Sequence, residues 1–395
     1  MHPNLEQKQT KSLLDDSLTC RKLEFNQRKN EEDDHTAAID EAADSFCYDA
    51  CKDNYWNPEP FSLLYGTPLW DEASPSQRVM LNQLYWVAYY NQIISSEIAT
   101  IFFNQVAAAG LYSLEDFRSI CDTLDFESKQ ERAHINAFKT ISETVEWEVF
   151  GERFFTYPMK GPYTETMIYH SNNRAQQYWR SLQLKAFTLM SSGSAFLGSQ
   201  YLLVRGLRTL NGKLIQHRLS EHYSDSENRE GEPIPSAISY FHFMDESHHF
   251  NTSRIIALDV TRSLDPPTAF EKWAVNRGVR GCQRDHFHFS VAVNGIFWYE
   301  PALFPVIYKL LRSHVFEMDR NEALTMMQKC FCEENDGQHA SRELQRVAFE
   351  SYCAFVDTVG HLDAGNREMT LIRSNSVERY LQQNRRAMKR FETHV

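Results

Sequence analysis

Apolar and aromatic residues recur on most faces of a long segment in the first third of the chain. Between residues 76 and 109 this pattern predicts one long helix, which Gly110 ends because glycine favours helix termination. A second helix is predicted to begin near Ser113, where Asp116 three residues later resembles an N-cap start, and to run to about residue 150. Helices of this length and apolarity are typical of the buried members of a bundle.

Two further patterns complete a set of four bundle helices. The third helix is predicted from residue 174 to at least residue 210, after a loop at 151–173 that contains prolines and glycines. The fourth is predicted to begin at Pro235 and to end at the Pro-Pro pair 266–267. Three C-terminal helices are predicted to pack around the bundle, at 289–314, 321–334 and 341–358. Because no strand alternation is sustained, the sequence predicts an all-α fold, a four-helix bundle with additional packing helices.

The first 55 residues have a different composition from the rest. They are charged, poor in large apolar residues, and contain the acidic run 31–34. Such a composition predicts a mobile or peripherally docked N-terminal extension, in which we expect no catalytic group. Residues 56–395 would then form the helical domain.

The overall charge narrows the classes of partner. The 395-residue chain carries a formal net charge of −12, and no cluster of Lys and Arg stands out against it. This charge repels phosphate backbones and anionic membrane surfaces, so we expect neither nucleic acid nor a membrane as a partner. The polar start and the absence of an apolar run long enough to span a bilayer predict a cytoplasmic protein.

Two of the predicted bundle helices carry the same Glu-x-x-His spacing. The pairs are Glu131 with His134 and Glu246 with His249. Residues three apart lie on one face of a helix, so each pair directs one oxygen and one nitrogen ligand towards a common point. Two such helices can hold two metal ions, as they do in the ferritin-like di-iron and di-manganese bundles. The sequence therefore predicts a ferritin-like di-metal helical domain.

Two more side chains extend this ligand set. Glu97 is an acid in otherwise apolar surroundings on the first bundle helix, where a charge is costly to bury unless it is paired or bound to metal. His242 lies four residues before Glu246 and seven before His249, so the three residues share one stripe of the fourth helix. Both additions are predicted metal ligands.

Three neighbouring side chains receive other roles. Glu127, one turn before Glu131, competes with it as a ligand but lacks a histidine three residues later. His248 points away from the ligand stripe. It is predicted to lie at the surface or to contact the ligands without binding metal itself. Asp245 is a plausible carboxylate for orienting a ligand histidine.

The third predicted helix lacks the carboxylate that such bundles place there. Residues 195–210 contain no acid, and Gln200 lies nearest to the required position. A site with one carboxylate fewer has an open position that an exogenous anion could fill. Two alternatives stay open: Gln200 binds metal through its amide oxygen, or the helix register differs and Glu221 supplies the missing group.

The order of these residues resembles that of the AurF-type non-haem di-iron oxygenases. Their pattern is Glu, Glu-x-x-His, Glu and His-x-x-x-Glu-x-x-His, and it is matched at Glu97, Glu131, His134, His242, Glu246 and His249 but not at the third-helix Glu. The sequences at 84–90 and 130–134 resemble more closely a branch of that superfamily, the CylC-type dimetal-carboxylate halogenases. The resemblance covers about residues 60–260.

The resemblance implies an oxygen-activating oxidoreductase with two iron ions, or manganese, since the ligands suit both metals. It would use dioxygen and chloride to chlorinate an unactivated aliphatic C–H bond of a fatty acid or fatty acyl group in natural-product biosynthesis. In this arrangement Glu131 and Glu246 bridge the ions, Glu97 and His134 complete one, and His242 and His249 complete the other. Gln200 would lie beside the open position.

The expected partners and two rival functions complete the sequence prediction. The expected partners are a small-molecule or acyl-carrier-bound aliphatic substrate, an electron donor and a second copy of the chain in a homodimer. One rival is an AurF-like arylamine N-oxygenase or another di-iron hydroxylase. The other is a non-catalytic metal-binding scaffold, in which the missing carboxylate has ended catalysis.

Overall fold

The computed structural model describes residues 13, 16–112, 115–155, 175, 178–179, 182, 216–224, 232–277, 280, 304–356, 359–368, 370–374 and 376–395. Their regular structure is helical, and no β-strand occurs among them. The predicted all-α class is therefore confirmed. Most of the predicted third bundle helix, including Gln200, lies outside the described residues, so the four-helix, ferritin-like arrangement stays a prediction.

The described helices follow one another along the chain as α1 (Ser17–Glu32), α2 (Thr36–Asp44), α3 (Pro68–Glu72), α4 (Pro75–Leu111), α5 (Arg118–Phe150), α6 (Ile234–Leu258), α7 (Phe304–Arg312), α8 (Arg320–Cys332), α9 (Asp336–Val356), α10 (Ala364–Arg367), α11 (Thr370–Arg373) and α12 (Val377–Phe391). Residues 216–224 and 269–277 are also helical. Helices α4, α5 and α6 correspond to the predicted first, second and fourth bundle helices.

The ends of these helices differ in detail from the predictions. Ser74 forms a capping box with Gln77 at the start of α4, and this helix continues through Gly110. A 3₁₀ turn at Glu115–Phe117 precedes α5, which therefore begins later than the predicted start near Ser113. Helix α6 ends well before Pro266, because a 3₁₀ turn at Val260–Ser263 follows Leu258.

An aromatic layer joins the three bundle helices. The rings of Tyr90 on α4 and Phe138 on α5 stack with centroids 4.1 Å apart. Trp86 on α4 is fully buried, and its Nε1 donates to the Pro235 carbonyl (3.0 Å) and to Ser239 Oγ (2.9 Å) at the start of α6. The layer therefore fixes the spacing of the helices that carry the predicted ligands.

Helices α1 and α2, from the predicted N-terminal extension, pack on the bundle. Asn26 Nδ2 on α1 donates to Thr252 Oγ1 on α6 (2.8 Å), and Lys22 Nζ lies 2.8 Å from Asp259 Oδ2 just after α6. Helix α2 packs against both α5 and α6. Helices α1 and α2 thus cover one side of the bundle in this structure.

Helix α4 is the one described helix long and apolar enough to cross a membrane by length and composition, where the sequence analysis expected no such run. A core helix of a bundle meets the same criteria. Polar side chains are buried along α4, among them Asn91, Glu97 and Asn104, and the helix packs along α5. Helix α4 therefore meets the length and composition test for a membrane span and also packs as a member of the bundle.

Candidate metal centre

The six predicted ligands are buried together between α4, α5 and α6. Ligand atoms of one group lie within 4.8 Å of one another, namely those of Glu97, His134, His242 and Glu246. A second group at the same spacing consists of Glu131, Glu246 and His249. The structure therefore brings all six side chains together, and Glu246 belongs to both groups.

Glu97 joins α4 to the histidines of the other two helices. Its side chain is almost completely buried, with Oε1 2.9 Å from His242 Nε2 and 3.9 Å from His134 Nδ1. The rings of His134 and His242 have centroids 4.6 Å apart. His242 is thus placed beside Glu97 and His134, whereas the sequence hypothesis paired it with His249 on one ion.

Glu131 and Glu246 lie between the histidines. Glu131 places Oε1 3.3 Å from His249 Nδ1 and Oε2 3.5 Å from His134 Nδ1. Oε1 of Glu246 lies 3.0 Å from His249 Nδ1 and 3.7 Å from His242 Nε2. Because each carboxylate reaches two imidazoles, both occupy positions suited to a bridging ligand.

Two of the imidazoles have one nitrogen engaged away from the carboxylate cluster. His134 Nε2 lies 3.1 Å from Asp245 Oδ2, and His249 Nε2 lies 2.9 Å from Gln130 Oε1. In a neutral imidazole, an Nε2–H that donates to this oxygen leaves the Nδ1 lone pair facing Glu131. Metal-ligating histidines are oriented in this way by a carboxylate or carbonyl on the other ring nitrogen. Asp245 was predicted for such a role, whereas Gln130 was missed.

The remaining candidates lie elsewhere. His248 Nε2 faces Asp33 Oδ2 at 3.3 Å, away from the ligand groups as predicted. Glu127 is buried but belongs to neither group. Glu221 is 48% exposed and lies 3.6 Å from His217 Nδ1, so it does not supply the missing carboxylate in this structure. The position of Gln200 lies outside the described residues.

The cluster contains buried polar atoms that a cation would satisfy. Both Glu97 oxygens and both His242 ring nitrogens are buried and form no well-aligned hydrogen bond among the described residues, despite the short distance between the two side chains. Leaving such atoms buried and unsatisfied is costly. Carboxylate oxygen and imidazole nitrogen are donors that iron and manganese both accept, so the residues present fit a metal pair.

Protons balance the buried charge when no metal is bound. Burial raises the pKa of Glu97 to about 8, although His242 beside it acts in the opposite direction. Burial alone would lower the pKa of His134, but its contacts with Asp245 and Glu131 outweigh this effect and raise the pKa to about 9. Near neutral pH the metal-free site therefore retains protons that a metal ion must displace.

Metal binding is expected to release protons and to strengthen as the pH rises. Ligands must be deprotonated to bind metal, so the apparent affinity should increase from about pH 6 and level off above about pH 9, past the raised pKa values of Glu97 and His134. Titration of the metal-free protein with Mn²⁺ in weakly buffered solution with a pH indicator measures both quantities. Proton-neutral binding with a constant affinity over this range would contradict the assigned ligands.

The described part of the chain is helical, and its buried carboxylates and imidazoles form two linked groups that could each hold a metal ion. Residues 18–392 match the family model described as "Acyl halogenase CylC-like". The chain belongs to this CylC-like acyl halogenase family, a family of enzymes, and the match extends well beyond the 60–260 range of the sequence resemblance. Searches of curated proteins and of solved structures gave no significant match. The relation to AurF-type oxygenases stays a prediction.

Proposed function

We propose that this protein is a dioxygen-dependent dimetal-carboxylate halogenase that chlorinates an unactivated C–H bond of a fatty acid or fatty acyl group. Membership of the acyl halogenase family supports the reaction class. The observation that carries the metal dependence is the pair of linked ligand groups, which share Glu246. The proposal includes two iron ions, with manganese as the alternative, a separate electron donor, and a cytoplasmic role in natural-product biosynthesis.

The proposed ligands are Glu97, Glu131, His134, His242, Glu246 and His249. When bound, the metal pair would supply the redox chemistry that activates dioxygen and uses chloride. Glu131 and Glu246 would bridge the ions, since each faces two histidines. Asp245 and Gln130 would keep the Nδ1 atoms of their histidines directed at the ions.

The surroundings of His242 suit chemistry that must exclude water. Its ring centroid lies 4.8 Å from that of Phe138 and 5.9 Å from that of Tyr90, both of them buried. This apolar side keeps solvent from the cluster and strengthens electrostatic interactions within it. The aliphatic part of a substrate would be compatible with these rings, whereas a charged group placed against them would lose hydration without compensation.

The charge of the proposed ligand set favours an anion beside the metals. Three carboxylates leave two divalent ions with net positive charge, which a halide can neutralise. Gln200 is the residue proposed to lie beside the open position, because a neutral amide there would not supply a fourth negative charge.

The decisive experiment is anaerobic loading of the full chain with Fe²⁺, followed by dioxygen with and without chloride. We expect two irons per chain and a chloride-dependent change in the near-ultraviolet and visible spectrum. Fatty acids and their acyl-carrier thioesters should then give products with the chlorine isotope pattern in mass spectra, and bromide should give the bromine pattern.

Other outcomes would overturn the proposal in distinct ways. Two irons with no chloride effect, together with oxidation of an aminobenzoate, would assign the protein to N-oxygenation. Reduced, iron-loaded protein that consumes no dioxygen with any of these substrates would indicate a scaffold. The absence of stoichiometric metal would remove the central element of the proposal.

A further inference from the structure

Contacts from two of the proposed ligand histidines converge on one turn near the N-terminus. The turn is Asp34–His35, between α1 and α2, in the segment where the sequence predicted no catalytic group. It lies 96 residues from Gln130 and 210 residues from Asp245 along the chain. These distant residues are the ones that hold His249 and His134.

The first path runs from His134 to His35. Asp245 accepts from His134 through Oδ2, at 3.1 Å. Its other oxygen, Oδ1, accepts from the backbone N–H of His35 (3.2 Å) and lies 2.9 Å from His35 Nδ1. Asp245 is fully buried, so these contacts fix both oxygens of a carboxylate that has no access to water.

The second path runs from His249 to Asp34. Gln130 accepts from His249 Nε2 through Oε1 (2.9 Å), and its Nε2 donates to Asp34 Oδ1 (3.3 Å). The same Asp34 oxygen accepts from the backbone N–H of Thr36 (3.1 Å), the first residue of α2. The Asp34 carboxylate is thereby fixed relative to the backbone, and it determines which end of the Gln130 amide faces His249.

The turn itself is held firmly against α6. The ring of His35 stacks on that of Phe241, with centroids 5.5 Å apart. Asp33 faces His248 at 3.3 Å, and Asn26 also donates to the His248 carbonyl. The family match begins at residue 18, within α1, so the helical hairpin formed by α1, the turn and α2 lies within the matched region.

We propose that Asp34 and His35 are positioning residues for two different metal ions, an inference that rests on the proposed function. His35 orients His134 through Asp245, and Asp34 orients His249 through Gln130. A carboxylate or carbonyl on the distal ring nitrogen fixes the orientation of a ligand imidazole and raises its basicity. Because His134 and His249 fall in different ligand groups, each half of the turn adjusts the affinity for one ion.

The test for His35 compares His35→Phe with His35→Asn in the full chain. Phenylalanine keeps a ring on Phe241 and the backbone N–H but removes the side-chain donor to Asp245, whereas asparagine offers an amide donor in place of Nδ1. In a titration of metal-free His35→Phe with Co²⁺, the ion held by His134 is expected to bind about 10- to 100-fold more weakly. The affinity for the ion held by His249 should change by less than about threefold. His35→Asn should restore the affinity of the wild-type protein.

The matched test for Asp34 compares Asp34→Ala with Asp34→Asn. Alanine removes the acceptor for Gln130, and asparagine retains a side-chain oxygen at that place. The affinity for the ion held by His249 should fall in Asp34→Ala and be restored in Asp34→Asn. In NMR spectra of the Co²⁺ form, the exchangeable, paramagnetically shifted N–H signal of His134 should change in His35→Phe only, and that of His249 in Asp34→Ala only.

The outcomes separate this inference from the proposed function. Wild-type protein that binds no pair of ions would overturn both. Wild-type protein that binds two ions, with variants that bind them equally well, would overturn the positioning role alone. A third outcome is that a variant binds both ions equally more weakly, that its metal-free form has a lowered Tm, and that the conservative variant does not restore affinity. This outcome would show that the hairpin serves only the fold.

Discussion

Replacing Glu131 or Glu246 with alanine is expected to abolish binding of the metal pair and all turnover. Each carboxylate faces histidines from both ligand groups, so its removal takes a ligand from both ions at once. The remaining buried imidazoles would then have to hold dications with too little negative charge nearby. Metal analysis after anaerobic Fe²⁺ loading and gel filtration measures the loss directly.

Glu127 provides the matched control for this experiment. It is buried on the same helix, one turn before Glu131, and it was the competing ligand in the sequence analysis. Glu127→Ala is expected to retain both ions, since this residue belongs to neither ligand group. Retention of two ions in either Glu131→Ala or Glu246→Ala would refute the bridging arrangement. Loss of metal in Glu127→Ala would mean that it is a ligand after all.

The ligand cluster could be predicted because its determinants are local. A spacing of three or four residues fixes a shared helix face without reference to the rest of the chain. The long apolar patterns around Glu97, Glu131 and Glu246 identified three helices as bundle members. These two facts sufficed to select side chains that the structure brings within a few ångströms of one another.

The helices that hold the site from outside could not be predicted in the same way. Helix α1 docks on α6 partly through polar contacts from Lys22 and Asn26, so its hydropathy pattern does not reveal a packed face. The contact of His35 with Asp245 depends on this docking and leaves no spacing signal in the sequence. Gln130 directly precedes Glu131, but its role depends on its contact with His249, 119 residues away.

Local sequence signals did not suffice to predict the exact helix ends or to decide whether Glu221 is a ligand. Gly110 reads as a stop, yet α4 continues through it to Leu111. Glu221 was an open alternative because a shift in helix register could bring it to the site. Its exposed side chain beside His217 removes it, a result that required knowledge of which way this segment faces.

The largest loss of stability among single substitutions in the bundle core is expected for Trp86→Ala. Its indole is fully buried, and the centroids of its ring and that of Tyr90 are 4.4 Å apart. The indole N–H donates to the Pro235 carbonyl and to Ser239 Oγ on α6. Truncation removes this packing, leaves a cavity and breaks the link between α4 and α6. The free energy of unfolding should fall by about 3 to 5 kcal/mol, as large-to-small changes of buried tryptophan do.

Urea unfolding of the metal-free protein, followed by circular dichroism, tests this expectation, with Trp147→Ala as the matched control. Trp147 lies on α5 with 57% of its surface exposed, so its truncation should change the free energy of unfolding by less than about 0.5 kcal/mol. Equal effects of the two substitutions would contradict the packing of the aromatic layer. Because that layer also borders His242 through Phe138, Trp86→Ala should weaken metal binding while leaving every proposed ligand in the chain. Such a result would show that the core contributes to metal binding by holding the ligands in the correct geometry.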